Sequence, residues 1–231
     1  MTDVVVALDY ASRREALTLV DVLGNACGFY KVGLELYTRA GPDIVRELRA
    51  RGKRVFLDLK LHDIPNTVAG AVRAAADLEV DLLTIHTAGG AEMMRAAAGA
   101  AENRLALLGV TLLTSLSPSD VEGTWGRAIS SVHEEVVRLA TLARDSGLPG
   151  IVASPQEAEA VRRRLGPDLI IVTPGIRLPG GDAHDQARVA TPGEAARAGA
   201  TYLVLGRAVT AARDPVAAMA SVRGELNGVS V

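Results

Sequence analysis

The segment RVFLDLKLHDIPNTVAGAVRAAADLEVDLLTIH, residues 54–86, contains one complete unit of the pattern that decides the fold. An apolar run at residues 54–59 is followed by a helical pattern at residues 65–78 and by a second apolar run at residues 81–86. Parallel strands need a long crossover connection, which is usually a helix. The segment therefore predicts two parallel strands joined by a helix.

The same alternation extends to both ends of the chain. Further strands are predicted at residues 4–8, 29–32, 105–113, 150–153, 169–173 and 202–205, and further helices at residues 12–23, 42–51, 91–100, 131–145, 155–164, 192–198 and 209–226. Capping signals support several helices, for example Ser12 with Glu15 and Thr191 with Pro192. Eight apolar strands, each followed by a helix, predict an α/β fold in which the sheet closes into a (β/α)8 TIM barrel. We expect residues 1–231 to form one such domain.

An open, doubly wound sheet is the alternative architecture, but no GxGxxG motif follows the first strand. Two stretches, residues 115–126 and 177–188, fit neither the strand nor the helix pattern. The second is rich in Gly and polar residues, and its position after strand seven favours a mobile lid over an ordinary surface loop.

Composition excludes several classes of protein. The 25 Lys and Arg residues are nearly balanced by 27 Asp and Glu residues, which argues against binding to nucleic acid or to an anionic membrane. A single cysteine, Cys27, excludes an intramolecular disulfide framework and a multi-thiolate metal site. The N-terminus does not resemble a signal peptide, and no apolar run approaches the roughly 20 residues that span a bilayer. We therefore expect a cytoplasmic protein.

Lysine is rare in this chain, so each lysine is informative. Only three of the 25 basic residues are lysines: Lys31, Lys53 and Lys60. Lys53 precedes a strand within RGKR and is interpreted as a solvated surface charge. Lys60 shares a strand face with Asp58, and Lys31 lies on the preceding strand.

Charges on the inner face of a barrel must be paired, because an isolated buried ion costs on the order of several kcal/mol. Lys31, Asp58 and Lys60 can form an alternating array at the carboxyl ends of the strands, where barrel enzymes carry their reactive groups. Asp63 follows on the next loop. A purely structural ion-pair network is the alternative, and the presence of two of the three lysines favours a catalytic array.

Other strand ends also carry polar residues. Asp9 lies on the inward face of the first strand, and Thr114 follows strand five with groups suited to the edge of a heterocycle. We interpret His86, at the end of strand four, as a structural residue, and Ser154, after strand six, as a helix cap.

The ends of strands seven and eight predict a phosphate site. Arg177 follows strand seven, while Gly206 and Arg207 follow strand eight. In barrels the loops after these two strands frequently bind phosphate, since a glycine lets the backbone approach the anion and an arginine pairs with it bidentately.

Taken together, seven segments resemble the orotidine 5′-monophosphate decarboxylase family in its bacterial form. They are VALDY, YKVG, DLKLHDIPNTV, the LTS after strand five, VTPGIR, HDQAR and the final GR. The resemblance extends from the first strand to the last helix, and DxKxxDIPNT is its most specific motif. It implies the loss of carbon dioxide from orotidine 5′-monophosphate (OMP) to give uridine 5′-monophosphate (UMP), without a metal or an organic cofactor.

The resemblance also implies a role for each matching residue. Lys60 is expected to donate the proton to C6 of the pyrimidine, within an array of Lys31, Asp58, Lys60 and Asp63. A homodimer is implied, in which Asp63 and Thr67 reach the site of the neighbouring subunit. The implied substrate contacts are Asp9 and Lys31 with the ribose, Thr114 with the pyrimidine, and Arg177, Gln186, Gly206 and Arg207 with the closing loop and the phosphate.

Two alternatives remain at this point. A sugar-phosphate decarboxylase of the same barrel group has a similar DxKxxD motif but uses Mg²⁺, and it needs an acidic ligand on strand two. This chain has Lys31 there, and an ammonium group cannot bind a cation. The other alternative is a non-catalytic phosphate-binding barrel.

Overall fold

The structure is a computed structural model and describes residues 2–178 and 189–229. Eight parallel strands form a closed barrel in chain order, and the last strand pairs with the first. This confirms the predicted (β/α)8 barrel and excludes the open sheet. The strands are β1 Asp3–Ala7, β2 Phe29–Gly33, β3 Arg54–Leu61, β4 Leu82–His86, β5 Ala106–Val110, β6 Gly150–Val152, β7 Ile170–Thr173 and β8 Tyr202–Leu205.

The helices of the described ranges follow the strands along the chain. They are α1 Arg13–Leu23, α2 Leu34–Ala40, α3 Asp43–Ala50, α4 Pro65–Asp77, α5 Gly90–Ala101, α6 Pro118–Trp125, α7 Val132–Asp145, α8 Pro155–Leu165, α9 Pro192–Arg197, α10 Arg207–Thr210 and α11 Pro215–Asn227. In the part of the chain that is described, no helix has both the length and the apolar character needed to cross a bilayer.

The alternation of side chains along the strands produces two apolar layers. The inner layer fills the barrel and consists of Val5, Ala7, Phe29, Phe56, Leu82, Leu108, Val172 and Val204. The larger outer layer lies between the strands and the helices. Because Phe56 belongs to the inner layer, Asp58 and Lys60 lie on the same inward face, nearer the carboxyl end of β3.

The amino-terminal end of the barrel is closed by Arg54. Its guanidinium carbon lies 4.0 Å from the centre of the Phe29 ring, and its Nε donates to Oδ1 of Asp81 at 3.1 Å. Oδ2 of Asp81 also accepts the backbone N–H of Val55 at 2.8 Å. Charge pairing and aromatic stacking thus occupy this end of the barrel.

Several predicted elements differ from the structure. Residues 115–126 contain helix α6, because Ser117 and Asp120 form a capping box around Pro118 at the first helical turn. The predicted helix at residues 209–226 is two helices, α10 and α11. The chain restarts at Pro215, with the Asp214 side chain accepting the backbone N–H of Ala217. Helix α2, directly after β2, was not predicted.

The interpretation of Lys53 as a solvated surface charge is also wrong. Its Nζ donates to the carbonyl oxygen of Gly24 at 2.6 Å and to that of Cys27 at 3.1 Å. Carbonyl groups at the end of a helix lack partners within the helix, and a cation there also interacts favourably with the helix dipole. Lys53 therefore anchors the turn between α1 and β2.

Candidate active site

A cavity of about 500 Å³ opens at the carboxyl ends of the strands. One part of its wall is polar and contains most of the residues predicted from the sequence: Asp9, Lys31, Asp58, Lys60, Thr114, Arg177, Gly206 and Arg207. Another part is apolar and was not predicted: Val110, Leu112, Val152, Val172, Pro174 and Val204. The cavity thus offers charged groups together with an apolar surface on which a flat ring can lie.

Three members of the predicted array, Lys31, Asp58 and Lys60, come together on β2 and β3. Nζ of Lys60 lies 2.8 Å from both carboxylate oxygens of Asp58, and Nζ of Lys31 lies 3.7 Å from Oδ2 of the same carboxylate. Lys31 also donates to Oδ1 of Asp9 at 2.9 Å. Asp58 is therefore held between two ammonium groups, and Asp9 accepts a hydrogen bond from that of Lys31.

Strand pairing explains how Lys31 and Asp58 come together. In the register of β2 with β3, Lys31 pairs with Phe56 and Gly33 pairs with Asp58. A Cβ atom at Gly33 would lie only 3.1 Å from Nζ of Lys31. The glycine of the YKVG segment therefore leaves the space that the ammonium group occupies.

The array keeps Asp58 ionised. Burial by itself would raise the pKa of this carboxyl group, but the charges of Lys31 and Lys60 and the hydrogen bonds from Lys60 and Thr84 outweigh it. The pKa of Asp58 therefore lies below its ordinary value. A fixed negative charge remains next to the Lys60 ammonium group.

Thr84 is a member of this cluster that the sequence analysis missed. It lies on β4 and is fully buried; its hydroxyl donates to Oδ1 of Asp58 at 2.9 Å and accepts the backbone N–H of Lys60 at 2.9 Å. The available signal was weak, since a single threonine between apolar residues in LLTIH is compatible with ordinary strand packing.

The opposite part of the cavity has the features predicted for an anion site. Arg177 and Arg207 both line it, and burial followed by the charge of Arg207 lowers the pKa of Arg177. An anion between two guanidinium groups relieves their mutual repulsion. Apart from the adjacent residues of the chain, the space around a Cβ atom at Gly206 is open, so a ligand can approach the backbone there.

Two predicted residues, Asp63 and Thr67, do not line the cavity of this chain. Asp63 and Thr67 are exposed, and Oδ1 of Asp63 accepts the backbone N–H of Ile64 at 2.7 Å. Gln186 and most of the predicted lid, residues 179–188, lie outside the described residues. Among the residues that are described, no three His, Cys, Asp or Glu side chains meet as a metal site.

His86 lies close to the array but does not line the cavity. Its ring centre is 5.5 Å from that of His62. Burial, followed by the charges of His62 and Lys60, lowers the pKa of His86 below 6.5, against an opposing effect of Asp58.

This pKa predicts how stability depends on pH. Below pH 6.5 the unfolded chain takes up a proton at His86 before the folded chain does, so acidification lowers the free energy of unfolding. The loss should begin near pH 6.5 and level off below the folded pKa. Urea unfolding of wild type and His86→Asn across this range should show a smaller loss in the variant. Parallel curves for the two proteins would contradict the assignment.

Comparison with known proteins agrees with this geometry. The model of the orotidine 5'-phosphate decarboxylase / HUMPS family matches residues 2–222. The orotidine 5'-phosphate decarboxylase of Moorella thermoacetica is 49% identical over 234 residues, covering 98% of this chain and 92% of the relative. That of Halorhodospira halophila is 50% identical over 225 residues, covering 96% of this chain and 94% of the relative.

A solved structure gives the same result at the level of the fold. The crystal structure of orotidine 5'-phosphate decarboxylase from Lactobacillus acidophilus matches with a TM-score of 0.88 at 35% identity, covering 99% of this chain and 100% of that chain. The chain belongs to the orotidine 5'-phosphate decarboxylase / HUMPS family.

Proposed function

We propose that this chain is a decarboxylase that converts OMP into UMP and carbon dioxide, without a cofactor, for pyrimidine biosynthesis in the cytoplasm. The observation that carries the proposal is the position of Lys60, whose Nζ lies 2.8 Å from both oxygens of Asp58 inside the cavity. The names of the relatives support the same substrate.

Lys60 is the proposed proton donor. Loss of carbon dioxide leaves an electron pair on C6, a vinylic carbon over which the ring delocalises charge poorly. An ammonium group at that carbon stabilises the developing carbanion and can then deliver its proton. An arginine would serve badly, because its pKa is too high and its charge too diffuse for proton transfer.

Asp58 is proposed to act on the substrate carboxylate by repulsion. Two like charges about 4 Å apart, at an effective dielectric constant of about 20, repel by about 4 kcal/mol. That is about one sixth to one half of the barrier reduction an enzyme commonly achieves, about 8–23 kcal/mol. Repulsion is therefore too small to be the whole of the catalysis.

The remaining cavity residues are proposed to hold the nucleotide. Arg177, Gly206 and Arg207 suit the phosphate, as does Gln186 from the predicted lid. Thr114 suits the pyrimidine edge, and the Asp9–Lys31 pair suits the ribose hydroxyls, since the Asp9 side chain is 63% exposed. Phosphate binding far from C6 can supply energy for closure over the reacting carbon.

A homodimer is part of the proposal. Asp63 lies on the loop before α4 and Thr67 lies in the first turn of α4, and both side chains are exposed. A second subunit is therefore needed if they are to enter a site. Ile64, between them, is 67% exposed, and Leu34, at the start of α2, is 55% exposed. Exposed apolar side chains beside the barrel mouth suit burial in a subunit contact.

The Mg²⁺-dependent sugar-phosphate decarboxylase remains the second candidate, because the name of the matching family covers more than orotidine 5'-phosphate decarboxylase. Lys31 argues against it, since its ammonium group is bonded to Asp9 and lies 3.7 Å from Asp58. The carboxylates of Asp9 and Asp58, which a metal ion would need as ligands, are thus already paired with the Lys31 ammonium group.

Turnover in the presence of a chelator tests the function. We expect the purified protein, dialysed against EDTA, to convert OMP into UMP, with the change of pyrimidine absorbance as the measurement. Activity that returns only when Mg²⁺ is added would favour the sugar-phosphate branch. Nucleotide binding without any turnover would favour a non-catalytic phosphate-binding barrel.

Mixed dimers test the contribution of Asp63 from the second subunit. Lys60→Ala and Asp63→Ala dimers should each be nearly inactive. After the two variants are mixed and allowed to reassort, we expect about one quarter of the wild-type activity, because half of the dimers are mixed and each has one intact site.

The control for this experiment is Lys60→Ala mixed with the double variant Lys60→Ala/Asp63→Ala, in which no intact site can form. If the first mixture is no more active than this control while subunits demonstrably exchange, Asp63 does not act across the interface.

A further inference from the structure

Strand β3, which carries Asp58 and Lys60, is irregular between Leu57 and Leu61. β3 and β4 pair regularly at Leu57 and Leu83, but the next pair is Leu61 with Ile85, so β3 has two more residues in this interval than β4. Lys60 lies within the interval with φ of 49°, in the left-handed region that non-glycine residues rarely adopt. Such a conformation persists only where surrounding contacts hold it.

Thr84 is the residue of β4 that lies opposite this irregularity. Its hydroxyl accepts the backbone N–H of Lys60 at 2.9 Å. This bond gives the N–H a partner within the interval where regular pairing between β3 and β4 is interrupted. The same hydroxyl donates its single proton to Oδ1 of Asp58 at 2.9 Å. One buried group therefore binds both the backbone of the proposed proton donor and the carboxylate beside it.

These two bonds fix the direction of the Lys60 ammonium group. The left-handed turn at Lys60 sends its side chain back toward Asp58, where Nζ meets both carboxylate oxygens at 2.8 Å. Asp58 in turn has its orientation set by Thr84 from one side and by the two lysines from the other. Without the hydroxyl, a partly buried N–H and one lone pair of the carboxylate lose their partner.

We propose that Thr84 is a positioning residue of this active site, which holds the Lys60 backbone and the Asp58 carboxylate so that the ammonium group faces the reacting carbon. Thr84 has no exposed surface, so it acts through Lys60 and Asp58 and not on the substrate. The inference deepens the proposed function and rests on it.

Thr84→Val is the direct test, since valine has nearly the same shape and lacks the hydroxyl. Because hydrogen bonds to charged groups are lost, we expect kcat for OMP to fall by about 10- to 100-fold. The Kd for UMP should change little, since the phosphate residues are on other strands. Thr84→Ser, which keeps the hydroxyl, should restore most of the turnover.

Thr87→Val is the matched control. Thr87 is also buried and also donates a hydrogen bond, to the carbonyl oxygen of Val110 at 2.9 Å, but it does not contact the array. Its loss should cost thermal stability and leave kcat unchanged. If Thr84→Val does not fold, Thr84→Ala removes the same hydroxyl in a smaller side chain.

A crystal structure of the Thr84 variant provides a second measurement that does not depend on turnover. We expect Lys60 to leave the left-handed region or its Nζ to move away from Asp58. Unchanged geometry, or a kcat equal to that of wild type, overturns the role of Thr84 and leaves the proposed function intact. A wild-type protein that does not decarboxylate OMP overturns the proposed function, while the geometry of the variant still decides whether Thr84 positions Lys60.

Discussion

The pairing of Asp58 with two ammonium groups is the constraint on which the rest of this site depends. A buried carboxylate is tolerated only when it is paired and hydrogen-bonded, and here Lys31, Lys60 and Thr84 together meet that requirement. Removing either lysine therefore does more than remove one charge, because it also takes one of two cations from the Asp58 carboxylate. The lysines that the buried carboxylate needs as partners thus include the one proposed to donate the proton.

The barrel supplies this arrangement from neighbouring strands. β2 brings Lys31, β3 brings Asp58 and Lys60, and β4 brings Thr84, while the guanidinium groups lie across the cavity after β7 and β8. Closure of the sheet places these strand ends around one cavity. Arg54, with Phe29 and Asp81, lies at the amino-terminal end of the barrel. The groups proposed to bind the phosphate and those proposed to act on the reacting carbon thus lie on different strands, an arrangement in which binding energy from the phosphate can assist the chemistry.

The sequence allowed the barrel and most of the site to be predicted, because strand alternation determines which residues point inward. Asp58 and Lys60 follow Phe56 on one face, and the structure confirms that face. Thr84 could not be recognised, because its contacts with Lys60 and Asp58 depend on a register shift between β3 and β4 that has no local sequence signal. The bonds of Lys53 depend likewise on a turn that folding brings close to it. The break before α11 was predictable from Asp214 and Pro215, and it was missed.

The central claim, that Lys60 donates the proton within this charge array, is tested most directly by Lys60→Ala. Asp58 would keep Lys31 and Thr84 as partners, so the variant should fold and bind UMP. The rate of UMP formation from OMP should fall by about 10⁴-fold or more, since proton donation and charge stabilisation are lost together. A variant that binds UMP normally and decarboxylates OMP at the wild-type rate would contradict the account.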